Sequence, residues 1–236
     1  MLRPTGRAMI PLKDDSPSSL RPLVTIGLIA TCIAVFLWQR TLDPVAGRRA
    51  VAALGAIPAV LLGRARLPPD LQWVPGFVSL FTSMFLHGGW MHLLGNMLFL
   101  WIYGDNVEDS MGHVRFALFY LVCGVVAVFA QALPEPASPY PIIGASGAIS
   151  GVLGAYLMLF PRAKVLTLVL LPFFFTTLRL PAMLLLLLWF AVQLLSDLAV
   201  PDGGASVAFR AHIGGFLAGV LFVGVLKRRD VPLFAP

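Results

Sequence analysis

Four residues of this 236-residue chain have types and spacing that could do chemistry: Ser146, His212, His92 and Asn96. A serine hydroxyl is a weak nucleophile until a neighbouring base takes its proton, and an imidazole does this near neutral pH. Ser146 lies in Gly144-Ala145-Ser146-Gly147, where a proline-containing polar loop gives way to an apolar run. Small residues on both sides of it let a backbone or a substrate come close. His212 opens a second apolar run, while His92 and Asn96, four residues apart, project from one face of a third. A carbonyl attacked by Ser146 would develop an oxyanion, for which Asn96, His92 and backbone N–H groups near the serine are suitable donors. Each of these residues, taken singly, is also what membrane helices use as polar packing glue. The elements that carry them therefore decide.

Those elements are membrane helices. The chain is 58% hydrophobic and only 12% charged, with a mean hydropathy of +0.88, which excludes an ordinary soluble domain. Apolar runs predict spans at 23–38, from 90 to the Gly104-Asp105-Asn106 turn, 114–133, 144–160, 181–199 and 211–226. Gly88-Gly89 separates the second span from a loop segment at 77–87. Residues 41–75 read as a long mixed segment in the membrane interface, either a helical hairpin or a partly buried loop. Residues 165–175, eleven apolar residues containing Pro172, are too short to cross and are expected to be re-entrant or interfacial. The expected organisation is a polar cytoplasmic tail over 1–21, a six-span domain over 22–227 and a cytoplasmic tail over 228–236.

Six spans put both termini on one side. With that side cytoplasmic, eleven Lys and Arg residues lie inside and six outside, in keeping with the positive-inside rule. Spans two, four and six then all begin at the outer face, so His92, Asn96, Ser146 and His212 can meet at one depth. Gly147, Gly151 and Gly154 on span four, with Gly215 and Gly219 on span six, supply the small-residue spacing for close helix contact. The N-terminal segment lacks the apolar core of a signal peptide, and its acidic pair and prolines argue against a transit peptide. A bacterial inner membrane, with the site near the extracytoplasmic face, is the expected address.

Gly144-x-Ser146-Gly147 at a span entrance, His87-x4-His92-x3-Asn96 on an earlier span, and Ala211-His212-x2-Gly215-x3-Gly219 on the last one together resemble the rhomboid family of intramembrane serine proteases. The resemblance covers roughly residues 41–227. It implies an all-α polytopic membrane protein with a six-helix bundle, Ser146 as nucleophile, His212 as general base, and His92 with Asn96 in the oxyanion hole. His87, Gly144 and Gly147 match supporting positions. The family's dyad has no acidic third member, which agrees with the lack of a nearby intramembrane Asp or Glu in this sequence. Some relatives place an aromatic ring four residues after the serine to stack on the histidine, whereas this chain has Ser150. The resemblance also implies that substrates are transmembrane segments of other proteins, admitted from the lipid by movement of span five and locally unwound before cleavage.

Other readings are weaker. A non-catalytic relative that binds membrane clients for folding or degradation would have no use for both Ser146 and His212. A channel or transporter predicts internal repeats and mid-membrane charges, which are not visible here. Lys and Arg fall between apolar runs, which speaks against nucleic acid as a partner. Cys32 and Cys123 lie inside apolar runs and form no metal-ligand pattern, so neither a metal nor another cofactor is expected. Asp105, Asn106 and Glu108 read as caps of a cytoplasmic turn, His113 as a solvated loop residue, Gln193, Ser196 and Asp197 as facing either the bundle or water without a catalytic role, and 201–210 as either a mobile lid or a flexible connection.

Overall fold

In a computed structural model the residues described are 8–16, 18–170, 175–199 and 208–235. Six long helices form a bundle: α1 (Leu23–Thr41), α5 (Trp90–Met111), α6 (His113–Ala132), α7 (Ser146–Leu159), α8 (Ala182–Ala199) and α9 (Phe209–Leu226). Of these, α1, α6, α8 and α9 are long and apolar enough to cross a membrane. Between α1 and α5 the chain forms α2 (Pro44–Leu54), α3 (Pro58–Leu61) and α4 (Ser79–Thr82), joined by short 3-10 turns. Of the two forms expected for 41–75, the structure shows the helical one over 44–61. Asp43 starts α2, accepting N–H bonds from Val45 and Ala46 while Pro44 takes the first helical position.

The centre of the bundle is α7, whose residues from Gly147 to Tyr156 are all buried. At about 1.5 Å per residue its 14 residues span about 21 Å, less than a hydrocarbon core of about 30 Å. Pro161, Arg162 and Lys164 follow its C-terminal end, so charge anchors that end at one membrane surface. Ser146, at the other end, is therefore sunk beneath the opposite surface.

The contact between α7 and α9 follows the glycine pattern of the sequence. A Cβ on Gly215 would lie 2.0 Å from the Gly147 carbonyl oxygen, and one on Gly219 would lie 1.9 Å from that of Gly151. From the α7 side, a Cβ on Gly154 would come within 2.2 Å of the Phe216 carbonyl oxygen. No side chain separates the two backbones at these points, which is how small residues let helices associate in lipid.

Three expectations are corrected. The stretch expected to be re-entrant or interfacial is β-strand where it is described, at 165–170 and at Phe175, while 171–174 lie outside the described residues. Strand β2 (Lys164–Leu170) pairs antiparallel with β3 (Phe175–Pro181) and, on its other edge, with β1 (Ala8–Asp14), drawn from the expected polar tail. Val165, Thr167, Val169, Thr176 and Thr177 favour strand over helix, and the sheet satisfies backbone groups that a run too short to span would leave open. Tyr156 of α7 ties this sheet to the bundle, its Oη–H donating to Asp14 at 2.6 Å, and at the edge of the sheet the Lys164 N–H donates to Asp15 at 2.7 Å.

Second, Gly104-Asp105-Asn106 does not end span two. Helix α5 continues to Met111 and stops at Gly112, whose φ of +80° suits glycine. Asp105, Asn106 and Glu108 lie on its last turns and bind the segment leading into α1. Ser18 donates to Asp105, Asn106 donates to the Ser16 carbonyl, and fully buried Glu108 accepts from the N–H groups of Val24 and Thr25 and from the Thr25 hydroxyl. A carboxylate from α5 thus caps the N-terminus of α1. Third, His113 is not a solvated loop residue. It opens α6, with Nδ1 2.5 Å from Glu108. The expected C-terminal tail also packs back on the bundle, where the Arg228 N–H donates to Ser110 and the Phe234 N–H to Met158.

Candidate active site

Ser146 is the first residue of α7 and His212 lies in the first turn of α9. With the helices held backbone to backbone, the Ser146 hydroxyl oxygen comes within 2.8 Å of His212 Nε2. This is a normal hydrogen bond, with Ser146 as donor when Nε2 is unprotonated. Around the pair is a cavity of about 680 Å³ whose lining includes His92, Asn96, Ser146, Trp189 and His212. The residues singled out from three separate stretches of sequence thus face one space.

His92 and Asn96 are in the first two turns of α5. The Gly88 N–H donates to His92 Nδ1 at 3.4 Å, which puts the ring proton on Nε2. Asn96 is buried, and its side-chain nitrogen has no partner among the described residues. A buried amide donor without a partner is costly unless something else meets it. The first N–H groups of α7 also have no intrahelical acceptor. The arrangement therefore combines a hydroxyl on an imidazole with donors able to receive a negative oxygen.

Gly144 and Gly147 are needed for different reasons. Gly144 has a φ of +113°, and a Cβ there would sit 2.6 Å from the His92 ring. Its N–H donates to the Ser83 carbonyl, and the preceding residues are held by paired bonds between Ile142 and Ala56, so the turn after α4 and the α2–α3 segment fix the approach to Ser146. At Gly147 a Cβ would meet the Ala127 methyl of α6 at 2.6 Å. His87 is not among the residues lining the cavity. Its ring bonds the Phe85 carbonyl and meets His92 edge-on at 5.1 Å, while its backbone exchanges two bonds with the Gln39 amide. Burial first, and the adjacent His92 second, push the His87 pKa down to about 4, so it supports His92 as a neutral ring.

Two residues of α8 also reach the site. Gln193 Oε1 is 2.7 Å from His212 Nδ1, and the Trp189 ring lies 6.0 Å from the imidazole at a 39° tilt. Of the two positions expected for Gln193, facing the bundle or facing water, the structure shows the first. The signal was present in the sequence as periodicity: Ala182, Leu186, Trp189 and Gln193 recur at helical spacing, which puts the glutamine on the inward stripe. Trp189 supplies an aromatic neighbour for His212 from another helix, and Ser150 instead donates to the Ser146 carbonyl at 2.6 Å. Asp197, on the following turn of α8, pairs with Arg210 of α9, which also pairs with Glu135. Most of the expected lid, 201–207, lies outside the described residues, and Phe209 and Arg210 are helical. No group of three or more His, Cys, Asp and Glu that could hold a metal occurs among the described residues.

The fold and this cavity define a polytopic membrane protein with a serine–histidine pair inside a helix bundle. The chain belongs to the rhomboid family, since the Rhomboid domain matches residues 75–229. Among its relatives, Rhomboid protease GluP of Bacillus subtilis is 47% identical over 78 residues, 33% of this chain and 15% of that protein. Rhomboid protein 1, mitochondrial, of Saccharomyces cerevisiae is 32% identical over 160 residues, 64% of this chain and 42% of that protein. Presenilin-associated rhomboid-like protein A, mitochondrial, of Danio rerio is 28% identical over 210 residues, 79% of this chain and 51% of that protein. The chain thus spans about half or less of the length of these relatives, which come from both bacterial and mitochondrial settings.

Proposed function

We propose that this protein is an intramembrane serine endopeptidase that cleaves transmembrane segments of other membrane proteins. The observation that carries the reading is the 2.8 Å contact between the Ser146 hydroxyl and His212 Nε2, in a cavity also lined by Asn96, whose side-chain nitrogen has no partner among the described residues. Membership of the rhomboid family supports it.

In this mechanism His212 Nε2 takes the Ser146 proton as the hydroxyl oxygen attacks a peptide carbonyl. The tetrahedral oxyanion is held by Asn96, His92 and the N–H groups at the start of α7, where the helix dipole also favours negative charge. His212 returns the proton to the departing amine, leaving an ester on Ser146. Water, deprotonated by His212, then attacks the ester and frees the acid and Ser146. Because Ser146 is sunk beneath the membrane surface, the scissile bond is one at or just inside the end of a transmembrane segment. A helical peptide bond is covered by its own hydrogen bonds, so residues that weaken helices near the cut favour cleavage.

The charge distribution supports cytoplasmic termini and a site towards the extracytoplasmic face, as in a bacterial inner membrane. Residues 22–227 are the proposed protease domain. The test is cleavage of a fluorescent single-span reporter by purified protein in liposomes. The parent is expected to cleave, while Ser146→Ala and His212→Ala abolish cleavage with folding intact. Binding of reporters without cleavage by the parent would replace this reading with client binding. Undiminished cleavage by Ser146→Ala would remove the mechanism.

A further inference from the structure

A serine–histidine pair works only if the imidazole presents its lone pair to the serine, which requires the proton to be on the other nitrogen. In triads a third group on that nitrogen enforces the choice. We infer that Gln193 is the third, positioning member of this site, a neutral acceptor that holds the proton on His212 Nδ1 so that Nε2 faces Ser146. The inference rests on the protease reading above and adds a residue to it.

The geometry is consistent along the whole chain of contacts. Gln193 Oε1 lies 2.7 Å from Nδ1, and Nε2 lies 2.8 Å from the Ser146 oxygen. With the proton on Nδ1, the imidazole donates to the glutamine and accepts from the serine. Moving the proton to Nε2 would set two donors against each other on the serine side unless the hydroxyl turned away. Gln193 is itself buried, one of three such residues on α8 with Ala182 and Leu186, so water does not readily replace its oxygen. Trp189, one turn earlier on α8, borders the same ring.

The choice of an amide has a physical reason. A carboxylate in a membrane-buried site carries a large desolvation cost, whereas a glutamine offers an acceptor oxygen without charge. The amide nitrogen is the competing group, because it can donate only to an unprotonated Nδ1. In the structure the oxygen occupies that position.

The location on α8 has a consequence. Ser146 and His212 are brought together by α7 and α9, which meet backbone to backbone. The group that orients His212 arrives from a different helix, most of whose described surface is not buried in the bundle. Displacing α8 therefore removes the acceptor and the aromatic neighbour together, leaving the serine contact without an enforced tautomer. Seating of α8 and readiness of the base become one event.

The test uses the full chain in liposomes with the single-span reporter, comparing the parent, Gln193→Met and Gln193→Glu. Methionine keeps the length and apolar bulk but loses the acceptor, whereas glutamate keeps an acceptor oxygen in either protonation state. Gln193→Met is expected to lower kcat about tenfold, as for loss of one hydrogen bond, with KM nearly unchanged. Gln193→Glu should retain more than half of the activity. Imidazole 15N spectra, with the His212 signals assigned by their absence in His212→Ala, should show Nδ1 protonated in the parent and in Gln193→Glu, and a shift towards Nε2 protonation in Gln193→Met. Thermal melts establish that each variant is folded.

A parental kcat and an unchanged 15N pattern in Gln193→Met would overturn the assignment. A lower kcat with an unchanged 15N pattern would also overturn it, because the residue would then be only structural. If the parent does not cleave, the protease reading fails by itself. The 15N comparison still decides whether Gln193 fixes the tautomer.

Discussion

The backbone contact between α7 and α9 makes Gly215→Ala a sharp perturbation. An alanine Cβ at 215 would stand 2.0 Å from the Gly147 carbonyl oxygen. That oxygen belongs to the backbone of a buried helix and cannot rotate away. Restoring an ordinary contact of about 3.4 Å requires the two helices to separate locally by about 1.4 Å. Gly147 adjoins Ser146, and Gly215 is one turn from His212, so the separation acts on the Ser146–His212 distance itself. The Ser146–His212 contact of 2.8 Å would open to about 4 Å, beyond hydrogen bonding. Misplacement of about 1 Å can cost a hundredfold in rate, while overpacking costs about 1–3 kcal/mol of stability. The assay is kcat/KM on the single-span reporter, paired with a melting curve. Gly224→Ala is the control, because a Cβ there meets nothing within 4 Å on the same helix. Gly215→Ala should lose about a hundredfold in kcat/KM and remain folded, with Gly224→Ala at parental activity. Parental cleavage by a folded Gly215→Ala would refute the argument that close backbone packing sets the serine–histidine distance.

Other outcomes follow from the same structure. Asn96→Ala should reduce kcat by about a hundredfold with little change in KM, because in the proposed mechanism its donor is used only when the oxyanion forms, as steady-state kinetics on the reporter will show. Glu108→Ala should destabilise the protein by about 3 kcal/mol or more, read by chemical or thermal unfolding in detergent, since it strips a buried acceptor from the Val24 and Thr25 N–H groups and from Thr25 Oγ1. Burial raises the Asp14 pKa above the usual carboxylate value, so its contribution to the β1 contact is full at low pH and is lost as pH rises through the folded-state value. Hydrogen-exchange protection factors of β1 should therefore decline over that acidic window in the parent. They should stay level in Asp14→Asn, which removes the titrating group.

Much of the site was legible as pattern because helical geometry makes it local. Four-residue spacing put His92 and Asn96 on one face, and glycines at 147, 151, 154, 215 and 219 marked helices that could approach without side chains between them. Hydropathy together with the family resemblance predicted six long helices, of which the second continues through polar residues to Met111. Asp105, Asn106 and Glu108 look like a turn when read alone, and only the incoming segment before α1 makes them acceptable at the end of a helix. In the same way, 165–175 lacks the length to span, and the sequence does not show what it pairs with. Strand β2 pairs with the nearby β3 and also with β1, some 150 residues earlier, and strand pairing over that distance leaves no local trace.

The sequence by itself determined that this is a membrane protein, roughly where its long helices run, and which polar residues stand near their starts. The tertiary structure decided which of those residues touch. Gln193 is one amide among several polar residues near the end of α8 until the bundle forms, and its role depends on a 2.7 Å contact with a ring on another helix. Periodicity constrains the face on which a side chain lies. The partner that face meets is set by packing between distant segments, through backbone contacts that only the folded bundle contains.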